Sequence, residues 1–96
     1  MLFALICTDK PGHLQMRIET RPAHLEWLNS LGANIKAAGP FLGEDGKPCG
    51  TLAVISADDL ASAKALAAED PYAKAGLFAS VDIRPWNWLV KNPETA

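Results

Sequence analysis

Leu2-Phe3-Ala4-Leu5-Ile6-Cys7-Thr8 is apolar at nearly every position, and it stops abruptly at Asp9-Lys10-Pro11-Gly12. Successive side chains of a strand point to opposite faces, so Phe3-Leu5-Cys7 and Leu2-Ala4-Ile6 form two separate apolar rows. That is the pattern of a strand covered on both sides. The four residues that end it are strong turn formers.

Beyond this strand the period changes. Over residues 13–31, Leu14, Ile18, Leu25 and Leu28 fall on one side at ~100° per residue, which predicts an amphipathic helix. Pro22 lies inside it and removes a backbone donor, so it either kinks the helix or divides a turn-rich segment from a helix starting near Arg21. Gly32 supplies the stop. Residues 34–38 read as a second strand ended by Gly39-Pro40, residues 41–49 as a loop turning at Asp45-Gly46, and residues 51–56 as a third strand. Ser56-Ala57-Asp58-Asp59 has the form of a capping box, opening a second helix that buries Leu60, Ala63, Leu66 and Ala67. Asp70-Pro71-Tyr72 interrupts that helix and starts a short turn ending at Gly76. Residues 77–86 form the last strand, with a tail at 88–96.

The order is β-α-β-β-α-β: an α+β, ferredoxin-like arrangement with a four-stranded antiparallel sheet and helices on one face. Two helices cover only one side of such a sheet, so the other side meets solvent or a second subunit. In the last strand Leu77, Ala79, Val81 and Ile83 form an apolar row, and Phe78, Ser80, Asp82, Arg84 and Trp86 a mixed one. A mixed row rich in aromatics beside a doubly apolar strand predicts a homodimer. Pro85 fits an edge strand, where a missing donor costs least, and Trp86 and Trp88 read as interface or lid packing.

The chain has 96 residues, 49 % apolar and 21 % charged, which is the size and composition of one domain over residues 1–96 with a buried core. A solenoid and a two-domain enzyme with its own cofactor-binding half are excluded. A net charge of −2 argues against nucleic acid as a partner, and no apolar run is long enough to span a membrane. The N-terminal strand lacks the basic region of a secretory signal, which predicts a cytoplasmic protein with Cys7 and Cys49 as free thiols. There is no CxxC, and His13 and His24 stand eleven apart, so no structural metal is expected.

His24 is the residue best suited to chemistry. If the helix is unbroken, Arg17, Arg21, His24 and Leu28 lie within about 60° of one another, with His24 turned toward the protein body. An imidazole in a partly apolar setting is a natural general acid or base, and equally a structural histidine satisfied by backbone groups; spacing alone favours the structural role. A guanidinium fork matches an anionic substrate. For Arg17 a solvated flank paired with Glu19 or Glu26 is the preferred reading, whereas for Arg21 the two are balanced. Asp70 before Pro71 is a natural helix cap, and could also orient an imidazole, in competition with Asp9, Asp58 and Asp82. The glycines of Ala38-Gly39-Pro40 and Cys49-Gly50-Thr51 permit either tight turns or close approach to a ligand, with turns preferred.

Taken in order, Asp9-Lys10-Pro11-Gly12, Arg21-Pro22-Ala23-His24-Leu25, Ala38-Gly39-Pro40, Asp70-Pro71-Tyr72, Ala75-Gly76-Leu77-Phe78 and Arg84-Pro85-Trp86 resemble the YciI (YCII-related) family over residues 1 to about 88. The resemblance implies a subunit of a dimeric α/β barrel. It also implies a functional histidine and aspartate, which fall on His24 in Arg-Pro-x-His and Asp70 in Asp-Pro-Tyr, and it turns the reading of His24 toward catalysis. Related dimeric-barrel proteins include muconolactone isomerase-like enzymes, and one YciI-type branch eliminates chloride from a chlorinated hydroxyquinol. Thr51 stands where serine is frequent in the family, and Ala79-Ser80 where a glutamate often occurs.

The expected function is therefore a small cofactor-independent enzyme. His24, oriented by Asp70, moves a proton on a small cyclic or phenolic substrate in an isomerisation or a dehydrochlorinase-like elimination. Arg21 binds an anionic group, and Thr51 or Tyr72 donates a hydrogen bond. The alternative is a dimer that binds a small molecule without changing it. A cofactor-free oxygenase is a third reading, by fold analogy alone.

Overall fold

The computed structural model describes residues 1–94. The elements are β1 (Leu2–Asp9), α1 (Leu14–Ser30), a 3₁₀ turn (Gly32–Asn34), β2 (Ile35–Leu42), β3 (Pro48–Ser56), α2 (Leu60–Ala68), α3 (Pro71–Lys74) and β4 (Phe78–Trp86). The strands form one sheet in the order β2-β3-β1-β4 with every pairing antiparallel, which is the expected ferredoxin-like α+β topology. β1 is a central strand, with its Phe3-Leu5-Cys7 row turned to the helices and its Leu2-Ala4-Ile6 row on the opposite sheet face. Phe3, Leu5 and Cys7 join Ala53 and Ile55 of β3 and Ala63 and Ala67 of α2 in the core beneath the helices. Burying a Phe, Leu or Ile side chain stabilises by roughly 1.5–3 kcal/mol.

Several boundaries differ from the sequence expectation, each for a local reason. α1 runs unbroken through Pro22. That proline is exposed, so water can satisfy the carbonyl that loses its helical partner. β2 does not end at Gly39-Pro40 but continues to Leu42, with Pro40 opposite Thr51. β2 is an edge strand, where a residue without an N–H is tolerated. The loop shrinks to a turn closed by Gly43 N–H donating to Lys47 O at 2.9 Å, with Gly46 at φ 80°.

Ser56 does not cap α2. It is still paired with Leu2 in the sheet, and the cap is Asp59, whose side chain accepts from Ser62 N–H at 2.7 Å. Leu60 is exposed, and α2 docks through Ala63 and Ala67. Phe78 does not share the outer row with Ser80 and Asp82. The register against β1 skips Ala79, a bulge that turns Phe78 inward, where its ring meets Tyr72 edge-on at 6.0 Å.

Gly50 is required where β3 passes β1, because a Cβ there would collide with the Cys7 carbonyl. Its glycine thus answers to neighbouring backbone, neither to a turn nor to a ligand. The sheet face away from the helices carries Ala4, Ile6, Leu52, Val54 and Trp86. Trp86 and Trp88 pack against each other at 5.8 Å, and Lys36 holds Glu94 of the tail at 2.6 Å. Residues 95–96 of the expected tail lie outside the described residues. Among the described residues no helix is long and apolar enough to cross a membrane.

Candidate functional site

α1 carries an inverted pattern. Its buried residues are Arg17 and His24, 3 % and 6 % exposed, while Ile18 and Leu25 are 46 % and 50 % exposed. The apolar side read from the period is therefore not the docking side. The helix rests on the stripe of Arg17 and His24, about 75° away from the centre of the expected leucine face.

The two polar residues are each met by a buried carboxylate. His24 Nδ1–H donates to Asp70 Oδ1 at 2.8 Å, and the same oxygen accepts from Tyr72 N–H at 3.0 Å. Asp70 thus caps α3 and holds the imidazole at once; the structural and the orienting reading are both true of it. An oxygen that already accepts from the backbone acts as an acceptor toward Nδ1, which assigns the proton to Nδ1 and leaves the lone pair on Nε2. Nε2 has no partner among the described residues, yet no buried side-chain nitrogen or oxygen is left unsatisfied there. Nε2 is therefore open to the cavity that His24 lines. The ring stacks on Tyr72 at 4.0 Å with an interplanar angle of 20°.

Arg17 is the main correction. Instead of a solvated flank paired with Glu19 or Glu26, it is sealed inside: Nε and Nη2 donate to the two oxygens of Asp9 at 2.6 and 2.9 Å, and Nη2 also to Thr51 Oγ1 at 2.7 Å. Its guanidinium lies over the Tyr72 ring at 4.5 Å. Burial works against this charge, but the hydrogen bonds and negative charge of Asp9 outweigh it, and the guanidinium is held still more firmly protonated. Asp9 brings its carboxylate across the Asp9-Lys10-Pro11-Gly12 turn, a fold-back that spacing along α1 does not reveal.

A cavity of about 380 Å³ between α1 and β2 is lined by Arg17, Arg21, His24, Leu25, Leu28, Ala38, Gly39, Pro40, Thr51 and Tyr72. Four of the expected site residues, His24, Arg21, Thr51 and Tyr72, thus meet at one hollow, with Asp70 directly behind His24. Arg21 is exposed at this wall. A larger groove of about 470 Å³ lies between α2 and β4, but it is lined chiefly by alanine and aliphatic side chains, with Lys64 and Asp82 as its charges. The buried histidine, both arginines, the threonine and the tyrosine gather at the cavity between α1 and β2. Trp86 and Trp88 line neither cavity.

Cys7 sits beneath the site. Burial, then the Asp70 carboxylate, pushes its thiol up to about 12, Arg17 opposing and Asp9 adding to the rise, so it is no thiolate nucleophile near neutral pH. Cys49 is exposed and free. Among the described residues no three His, Cys, Asp or Glu side chains gather as a metal-binding set.

The profile of the YCII-related domain matches residues 1–87. The protein YciI of Escherichia coli is 31 % identical over 94 residues, covering 90 % of this chain and 96 % of that protein. Among solved structures, 5-chloro-2-hydroxyhydroquinone dehydrochlorinase of Burkholderia phenoliruptrix, in complex with 2,5-dihydroxybenzoquinone, is 36 % identical with a TM-score of 0.84, covering 91 % of this chain and 94 % of that one. A dimeric ferredoxin-like protein of unknown function from a Jannaschia species shares the fold at 19 % identity, with a TM-score of 0.52 over 88 % of this chain and 98 % of its own.

Proposed function

The chain belongs to the YCII-related family, and from that premise we propose that it is a cofactor-independent enzyme moving protons on a small cyclic or phenolic substrate. The observation that carries this reading is the buried His24–Asp70 pair at 2.8 Å, with Nε2 open to the cavity. Asp70 fixes the tautomer and stabilises the imidazolium that forms when Nε2 takes a proton. The apolar wall of Leu25, Leu28 and Pro40 suits one face of a flat ring, and Arg21 suits an anionic substituent at the rim.

In the proposed reaction Nε2 removes the proton of a ring hydroxyl. The O–H electron pair forms a carbonyl, and a ring carbon is protonated to give the ketone tautomer. Where that carbon bears a halogen, removal of a second hydroxyl proton expels halide, so the net loss is one hydrogen halide and no oxidant is consumed. The similarity to a dehydrochlorinase of a chlorinated hydroxyhydroquinone supports this substrate class.

The test is turnover of halogenated and unhalogenated hydroxyhydroquinones and cyclic enols, followed by ultraviolet absorbance and halide release. His24→Ala is expected to lower kcat/KM by a factor of ~10²–10⁴. Asp70→Asn, which can still cap α3, is expected to lower kcat within a similar range of ~10²–10⁴. Ligands that bind and emerge unchanged from the wild type would instead support a non-catalytic binding dimer.

The working unit in this reading is a cytoplasmic homodimer, its two copies meeting through the apolar sheet face of Ile6, Leu52, Val54 and Trp86. Sedimentation equilibrium should give twice the 10.3 kDa chain mass at micromolar concentration; a stable monomer there refutes the dimer.

A further inference from the structure

We infer that the buried Asp9–Arg17–Thr51 chain turns the Thr51 hydroxyl into a dedicated hydrogen-bond donor for an anionic ring oxygen, a phenolate or enolate, held opposite His24. The inference deepens the reading above and rests on the cavity being where the ligand sits.

A hydroxyl has one proton to give and two lone pairs to receive with. At Thr51 Oγ1 one lone pair is already taken by Arg17 Nη2 at 2.7 Å. Arg17 has no acceptor, so the Thr51 proton cannot be returned to it. Among the described residues no other group accepts that proton, and Thr51 lines the cavity. The Thr51 proton is therefore free for a ligand oxygen, and the Arg17 cation on Oγ1 makes that hydroxyl a better donor and a poorer acceptor through its remaining lone pair. Its branched side chain narrows the available χ1 rotamers, which helps to keep the hydroxyl in place.

The rest of the chain sets the strength of this donor. Arg17 is a permanent cation, and its bond to Oγ1 polarises the Thr51 O–H toward the cavity. Asp9 occupies both Nε and Nη2 of the same guanidinium, so the fork is locked and its charge is largely answered inside the protein. The Tyr72 ring is the common platform, with His24 stacked at 4.0 Å and the Arg17 guanidinium at 4.5 Å from its centre. The base and the guanidinium that holds the donor are thus set against one ring. When Nε2 takes a hydroxyl proton, the oxygen left behind carries the charge that such a donor stabilises. In this arrangement Arg17 is a positioning residue that acts through Thr51.

The test needs binding only. The probes are 4-nitrophenol, whose absorbance reports ionisation, and nitrobenzene, its neutral analogue. The wild type is expected to bind the phenolate about tenfold or more tightly than nitrobenzene, and to lower the bound phenol's ionisation pH by about one unit. Thr51→Val is expected to weaken phenolate binding by about tenfold, to leave nitrobenzene within about twofold, and to reverse the spectral shift. Thr51→Ser keeps the hydroxyl and should stay within about threefold of the wild type.

Arg17→Lys keeps a cation but loses the fork. Its phenolate loss should not add to that of Thr51→Val, since both remove one donor. Equal phenolate affinity in Thr51→Val, additive losses in the double variant, or no phenolate preference in the wild type would each overturn the inference. Because His24 turnover is read separately, an intact phenolate preference beside an unaffected His24→Ala rate would remove the base and leave the donor standing.

Discussion

The helices α1 and α2 dock on the same sheet by opposite means. α2 presents Ala63 and Ala67, the smallest side chains that let a helix lie close to a sheet, and its burial is purely apolar. α1 presents Arg17 and His24, each sealed by a carboxylate from another element, and leaves Ile18 and Leu25 exposed. A helix docked by buried ions gains little stability from them, because desolvation offsets most of the attraction. What it gains is placement: His24 and Arg17 are both set against the Tyr72 ring, and Arg17 in turn holds Thr51. The apolar half of the molecule buries surface, and the polar half gathers titratable and hydrogen-bonding side chains at one cavity.

The largest expected effect breaks the polar half. Arg17→Met leaves Asp9 buried without its partner and should cost about 3–5 kcal/mol in chemical denaturation. Arg17→Met with Asp9→Leu removes both charges and should recover most of that loss, since paired replacement by apolar groups is often neutral. A double variant as unstable as the single one would mean that α1 depends on this ion pair to dock. On the α2 side the equivalent disruption is steric. Ala63 is fully buried in the core, so Ala63→Leu should cost about 1–3 kcal/mol by overpacking, with binding at the α1 cavity retained by the folded fraction.

The comparison also separates what could be read in the sequence from what could not. α2 was legible at Ala63 and Ala67 because its partners are apolar and the period orients it, although Leu60 on its first turn stays exposed. The topology was legible for the same reason: β1 is apolar on both faces and every turn is marked by Gly, Pro or Asp. On α1 the period pointed to Leu14, Ile18, Leu25 and Leu28, and the structure chose the neighbouring stripe. Helical spacing did turn His24 inward, but its partner Asp70 is forty-six residues away, and only the family resemblance joined them. Arg17 was missed because an arginine on a helix flank is ordinarily solvated. Its partner arrives through a turn whose fold-back no spacing encodes. At Phe78 one bulge reversed the alternation, and a period-2 reading has no way to register an extra residue.

Cys7 marks the seam between the halves, packed in the apolar core yet acted on by Asp70, Arg17 and Asp9. Its thiol is pushed up to about 12 in the folded chain, mainly by burial, against an ordinary value near 9 when unfolded. Above pH ~9 the unfolded chain releases this proton and the folded chain keeps it, so the native state holds more protons and stability falls as pH rises. The decline runs from about 9 toward about 12 at no more than about 1.4 kcal/mol per pH unit, and it is absent below this window. Denaturation at pH 8 and pH 10 should show a larger drop in the wild type than in Cys7→Ala. An equal drop in both would place the thiol outside the core. Cys49, exposed, should alkylate at neutral pH while Cys7 stays protected.

The smallest effect tests the inversion of α1 itself. A core isoleucine changed to a polar residue loses several kcal/mol, because it forfeits its burial and places an amide among apolar neighbours. Ile18 is 46 % exposed, on the flank away from Arg17 and His24, so Ile18→Gln should change stability by less than about 0.5 kcal/mol. Glutamine is a good helix former, and the exchange carries no propensity cost that could mask the result. A loss above about 1.5 kcal/mol would show that Ile18 is covered in solution, and its dependence on protein concentration would decide whether a second copy covers it. With no loss, the exposed flank of the hydrophobic period of α1 has no part in holding it to the sheet. The helix is then positioned by its buried arginine and histidine, the two side chains that a stability-driven design would have removed.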